Sequence, residues 1–157
     1  MGYSELHMRA PIFAILALAV LLAAGCGGDS NDEFADSVVE SRNTVDGALT
    51  HITDNPSGKE ELLQRMEQAA QKIDVAAESL DRKDAPEAMG DEQTKLVTAF
   101  RQLAVDLDQT AEQLRQPDFQ GLIQGTQGLS FQSWVDANDA LKQLKQQGVD
   151  VQPLGKH

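Results

Sequence analysis

The sequence predicts an all-α protein: an up-and-down antiparallel four-helix bundle with a broken last helix, preceded by a signal peptide and a short flexible tether. Three observations carry that expectation. Apolar residues recur at alternating spacings of three and four, the mark of one buried helical face. No stretch of useful length alternates apolar and polar residues as a half-buried strand would. Ala, Leu, Gln, Asp and Glu dominate and aromatics make up only 4% of the chain, a mixture that favours helices.

The bundle domain is expected over residues 33–148, after a tether over 26–32 and before an extended tail over 149–157. Ser30 and Glu33 have the spacing of a capping box that starts a first helix. Phe34, Val38, Val45, Leu49 and Ile52 then form its apolar face, and Pro56 and Gly58 break it. A second box, Ser57 with Glu60, opens a seam of Leu62, Met66, Ala69, Ile73, Ala76 and Leu80, widened by Ala70 and Ala77. The charged run 81–84 ends that helix, and Pro86 suits the first turn of the next.

The third helix has the most regular seam: Met89, Gln93, Leu96, Phe100, Leu103, Leu107, Thr110 and Leu114, ended by Pro117. Phe119, Leu122 and Ile123 follow in a segment weakened by Gly121, Gly125 and Gly128, where the last helix is expected to break. Ser130 caps the final stretch, with Phe131, Trp134, Val135, Leu141 and Leu144 on its apolar face and Asn138 among them. Gly148 stands where a helix-ending glycine belongs. Val149, Val151 and Leu154 alternate with polar residues, as in an extended segment packing back along a groove. Helices of roughly 20 to 30 residues joined by short turns run antiparallel to their sequential neighbours.

The amino-terminal part reads differently. Residues 12–24 are continuously apolar, too few for the roughly 20 residues a spanning helix needs and fitting for the h-region of an export signal. The run ends in Ala23-Ala24-Gly25-Cys26, followed by Gly27, Gly28 and polar residues. This pattern resembles the lipobox of bacterial lipoprotein precursors. Ala23 departs from the family's usual leucine. The resemblance implies cleavage between Gly25 and Cys26, removal of residues 1–25 as a signal peptide, and a diacylglyceryl group on the Cys26 thiol. It also implies attachment to a cell membrane on its extracytoplasmic side, an outer membrane included where the cell has two. Physical chemistry agrees, since two acyl chains hold a protein stably where one gives marginal binding. Cys26 is the single cysteine, so the remainder must fold by packing alone, without a disulfide. The mature part is similar in layout to small exported helical proteins, which carries no activity.

The chain holds 13 Lys and Arg against 25 Asp and Glu, a net charge of −12. The leader removes one base, Arg9, and one acid, Glu5, so the remainder keeps that charge. Such a surface argues against nucleic acid, whose phosphates demand Lys and Arg, and against anionic lipid headgroups. The membrane partner is therefore expected to be reached through the lipid anchor.

The residues offer little chemistry. There is no Cys-x-x-Cys-His for covalent heme and no Gly-x-Ser-x-Gly for a nucleophile. His51, Met66 and Met89 are the internal residues that could ligate a non-covalent heme, yet the methionines sit on seams where methionine fills gaps. Asp29, Asp32, Glu33 and Asp36 cluster without the glycine of a calcium loop. Neither a metal nor another cofactor is expected beyond the covalent lipid. Trp134 and Asn138, four apart on one helix face, are the candidate contacts of a groove. The other reading makes Trp134 a core plug and Asn138 a register-setting polar residue, and Gln93 and Thr110 are the expected hydrogen-bonding partners of the two inside the bundle. The expectation is a non-enzymatic module that binds a protein partner or supports an envelope assembly, the alternative being a binder of a small ligand, metal or heme.

Overall fold

The computed structural model describes residues 28–116 and 131–155. Every regular element among them is helical: α1 (Gly28–Thr53), α2 (Lys59–Asp81), a 3-10 turn (Glu87–Met89), α3 (Gly90–Arg115) and α4 (Gln132–Gln146). The leader, Cys26, the Gly121–Gly125–Gly128 segment and Ser130 lie outside the described residues.

α1 begins at Gly28, so residues 28–32, expected as tether, are its first turns, and Ser30 lies within the helix instead of capping it. Asp32 and Glu33 favour this early start, because carboxylates near a helix start are favoured by its dipole. Phe34, Val38, Val45, Ala48 and Ile52 are buried, and Leu49 is half-buried.

A tight elbow joins α1 to α2. Gly58 occupies the cap position and α2 starts at Lys59, which makes Glu61, not the expected Glu60, the third helical residue. The Ser57 backbone amide donates to Glu61 Oε2 at 2.7 Å, and the Ser57 hydroxyl donates to the same oxygen. Arg65 donates to Glu61 and reaches back to the His51 and Asp54 carbonyls at 2.9 and 2.6 Å. Hydrogen bonds from the Ser57 hydroxyl, the Ser57 amide and Arg65, in that order, bring the Glu61 pKa from 4.5 down to about 2.

The helix directions follow from side chains that meet across the pairs. Arg65 near the start of α2 touches the end of α1, while Lys83 beyond the end of α2 pairs with Glu33 near the start of α1 at 3.3 Å. Arg101 of α3 pairs with Asp81 at 2.8 Å, and Arg115 at the end of α3 pairs with Glu67 of α2. Gln93 donates to the Leu80 and Lys83 carbonyls at 2.8 and 2.6 Å, satisfying acceptors that the end of α2 would leave open. Asp106, midway along α3, accepts from Ser133 at the start of α4 at 2.5 Å, and Gln147 after α4 reaches Glu92 at the start of α3. Each helix therefore runs opposite to the one before it.

Met66, Ala69, Ala70, Ile73, Ala76, Ala77 and Leu80 of α2 are buried against Leu96, Phe100, Leu103 and Leu107 of α3. The small alanines let the two helices lie close, and dense packing of such seams is the principal source of helix stability here. Leu63 is buried where the sequence pattern favoured Leu62, which is half-buried. On α4 the buried positions are Ser133, Ala137, Ala140, Leu141 and Leu144. Val135, expected on that face, is 43% exposed because it lies a third of a turn round from Trp134.

α4 ends in a Schellman arrangement. Gly148 takes φ +105°, its amide donates to the Lys145 carbonyl at 3.2 Å, and the Val149 amide donates to the Leu144 carbonyl at 3.1 Å. Val149 and Leu144, the two residues this turn brings together, are both buried. The chain then leaves as an extended strap.

Candidate functional site

The candidate site is the groove between α1 and α4, and its polar groups come first from α1. Ser37, Ser41, Arg42 and Asp46 interrupt the apolar face of that helix and are all buried, Arg42 to 8% and Asp46 to 5% exposure. One helical turn separates Arg42 from Asp46, and their side chains pair at 3.4 Å. Ser41 donates to the Ala76 carbonyl of α2 at 3.4 Å, while Arg42 and Asp46 serve the other flank.

That flank is the carboxy-terminal strap. Arg42 donates through Nε to the Gln152 carbonyl at 3.1 Å and through Nη2 to the Pro153 carbonyl at 2.6 Å. Asp46 Oδ1 accepts from the Gly155 amide at 2.6 Å. From the opposite wall, Asn138 Oδ1 accepts from the Leu154 amide at 2.7 Å. Val149, Val151 and Leu154 are buried at the same time, filling the groove with apolar side chains. α1 and α4 make scarcely any direct contact among the described residues, so the strap is what joins them. Charged groups this deep demand partners, and the strap backbone supplies them.

Beside the end of the strap lies a cleft of about 310 Å³, walled by Leu49, Ile52, Leu107, Phe131 and Trp134, with Asp46 and Thr50 at its polar edge. Trp134 is half-buried, packs on the core and also lines this cleft. Its ring closes over Gly155, where φ is +77° and an added Cβ would stand 3.0 Å from Trp134 Cζ2. A side chain there would crowd the indole and hold a strained backbone, so the position suits glycine. A second, more open depression of about 530 Å³ lies on the α3–α4 surface between Thr98, Gln102 and Asp136.

The structure thus brings Trp134 and Asn138 to one groove, both in contact with the strap. The expected partners of Asn138 are corrected. Gln93 caps α2, and Thr110 donates to the Asp106 carbonyl one turn back at 2.7 Å, so neither reaches Asn138. Arg42 and Asp46 are the residues that sequence reasoning missed. Cys26 and Gly25 lie outside the described residues. His51 and Met89 fall at opposite ends of the helices, and Met66 is buried in the core at 1% exposure. Among the described residues no group of three or more His, Cys, Asp or Glu is placed to hold a metal ion. No helix among them is long and apolar enough to cross a membrane.

Chemically, the groove is equipped to hold an extended backbone: a guanidinium for carbonyls, two side-chain oxygens for amides and apolar hollows for alternate side chains. No protein-family model, curated protein or solved structure matches this chain.

Proposed function

We propose that the chain is a lipid-anchored extracytoplasmic protein whose helices close as an up-and-down bundle. Its role is non-enzymatic: it binds a protein partner or supports an assembly in the cell envelope. The observation that carries the reading is the apolar run 12–24 ending in small residues immediately before the single cysteine, Cys26.

Cys26→Ser tests the anchor. The variant is expected to lose fatty-acyl labelling and to move from the membrane fraction to the soluble one. Retention of the variant at the membrane would mean that the leader itself holds the protein there. Proximity cross-linking in intact cells tests the partner, and failure to recover a reproducible neighbour counts against it.

The apolar cleft under Trp134 favours a second reading, a small-ligand binder, because its volume falls at the lower edge of the range for small-molecule sites. A ligand held there raises the melting temperature by mass action and changes the emission of Trp134, the single tryptophan. A flat response of both signals to candidate lipids and heme would remove this reading.

A further inference from the structure

We infer that the bundle stands end-on at the membrane, turning the start of α1, the α2–α3 connection and the end of α4 toward the lipid headgroups. The inference rests on acylation of Cys26 and adds to it the face that meets the lipid. Cys26 precedes the first residue of α1 by two positions, and two residues span at most about 7 Å. Acylation at Cys26 would therefore hold the start of α1 within about 7 Å of the anchored residue, with too little chain to carry the fold away from the surface.

The contacts define which groups share that end. Glu33 of α1 meets Lys83, Gln93 of α3 caps α2, and Gln147 after α4 reaches Glu92. The cleft walled by Ile52, Phe131 and Trp134 belongs to the other half, where α1 ends and α4 begins. At 1.5 Å per residue, the 26 residues of α1 place its far end about 39 Å from its start. An end-on bundle thus holds the cleft well clear of the headgroups, open to the compartment.

Charge sets both the posture and the lipid. Asp81, Asp84, Glu87, Asp91, Glu92 and Asp150 outnumber the cations Arg82, Lys83, Lys95 and Lys145 at the near end, and the whole chain carries −12. Lying flat would press acidic groups along the whole length of the helices against the surface and strip more of their water than contact at one end does. The near end accordingly suits zwitterionic headgroups.

Nitroxide labels on single added cysteines test this in the full acylated chain, because Cys26 is the only native thiol and is blocked by its lipid. Asp84→Cys marks the near end and Asp54→Cys the far end; both positions are exposed and lie between helices. In zwitterionic vesicles doped with a nickel-chelating lipid, the label at 84 is expected to relax several-fold faster than the label at 54. Equal relaxation would mean a flat-lying bundle, and faster relaxation at 54 an inverted one; either overturns the inference. Mass measurement of the same samples separates the two claims, since absence of the acyl mass on Cys26 overturns the anchor and the orientation with it.

Discussion

Arg42 is the residue on which the described fold turns most sharply. Its guanidinium, 8% exposed, pairs with Asp46 and donates to two strap carbonyls. Removing one partner of a buried pair strands the other without water, which costs more than the pair itself contributes. Arg42→Ala is therefore expected to lower unfolding free energy by about 3 kcal/mol, measured by urea denaturation. A loss below about 0.5 kcal/mol would show the pair to be as expendable as a surface ion pair. The sequence held a trace of this residue. The α1 seam of Phe34, Val38, Val45, Leu49 and Ile52 skips one position, leaving a spacing of seven from Val38 to Val45. Ser41 and Arg42 stand in that gap, buried. Composition weights a charge toward solvent, so only the strap, distant in sequence, explains why a guanidinium occupies a core position. Asn138 was legible as a polar residue on an apolar face, but its partner, a backbone amide 16 residues on, was not.

At the scale of elements, spacing determined most of what could be read. The α2 and α3 seams are buried nearly as their three-four alternation requires, because packing of those faces decides the helix positions. Boundaries were read less well. The second capping box slipped by one residue, since glycine at 58 took the cap and advanced Glu61 into the reciprocal position. That slip has a measurable consequence at the α1–α2 elbow. The folded pKa of Glu61, about 2, lies below its ordinary 4.5, held there by the Ser57 and Arg65 hydrogen bonds. A depressed carboxylate pKa stabilises the fold above the unfolded value and loses that contribution as pH falls through the folded one. The stability difference between the native chain and Glu61→Gln is thus expected to be complete above about pH 4.5 and to vanish toward about pH 2. Thermal unfolding across that window checks it; a difference independent of pH would show that the carboxylate charge does no work at the elbow.

At the scale of the molecule, the helices alone do not close the fold. α1 and α4 are joined by an extended strap, not by a helix–helix seam, and the strap carries buried Val149, Val151 and Leu154 into the space between them. Alternation of those residues was visible in the sequence, whereas the backbone-directed clasp of Arg42, Asp46 and Asn138 depends on three elements meeting and could not be read from any one. The same holds for the end of the helices proposed to meet the membrane. The lipobox pattern is local to residues 23–26, whereas the start of α1 at Gly28, which leaves a single residue between Cys26 and the helix, is a property of the fold.

Mass spectrometry of the amino-terminal peptide of the protein, isolated from membranes of cells that process lipoproteins, tests the central claim most directly. The account predicts a chain beginning at Cys26 and carrying the mass of a diacylglyceryl group on its sulfur. A chain that retains residues before Cys26, or begins there with an unmodified thiol, would contradict it.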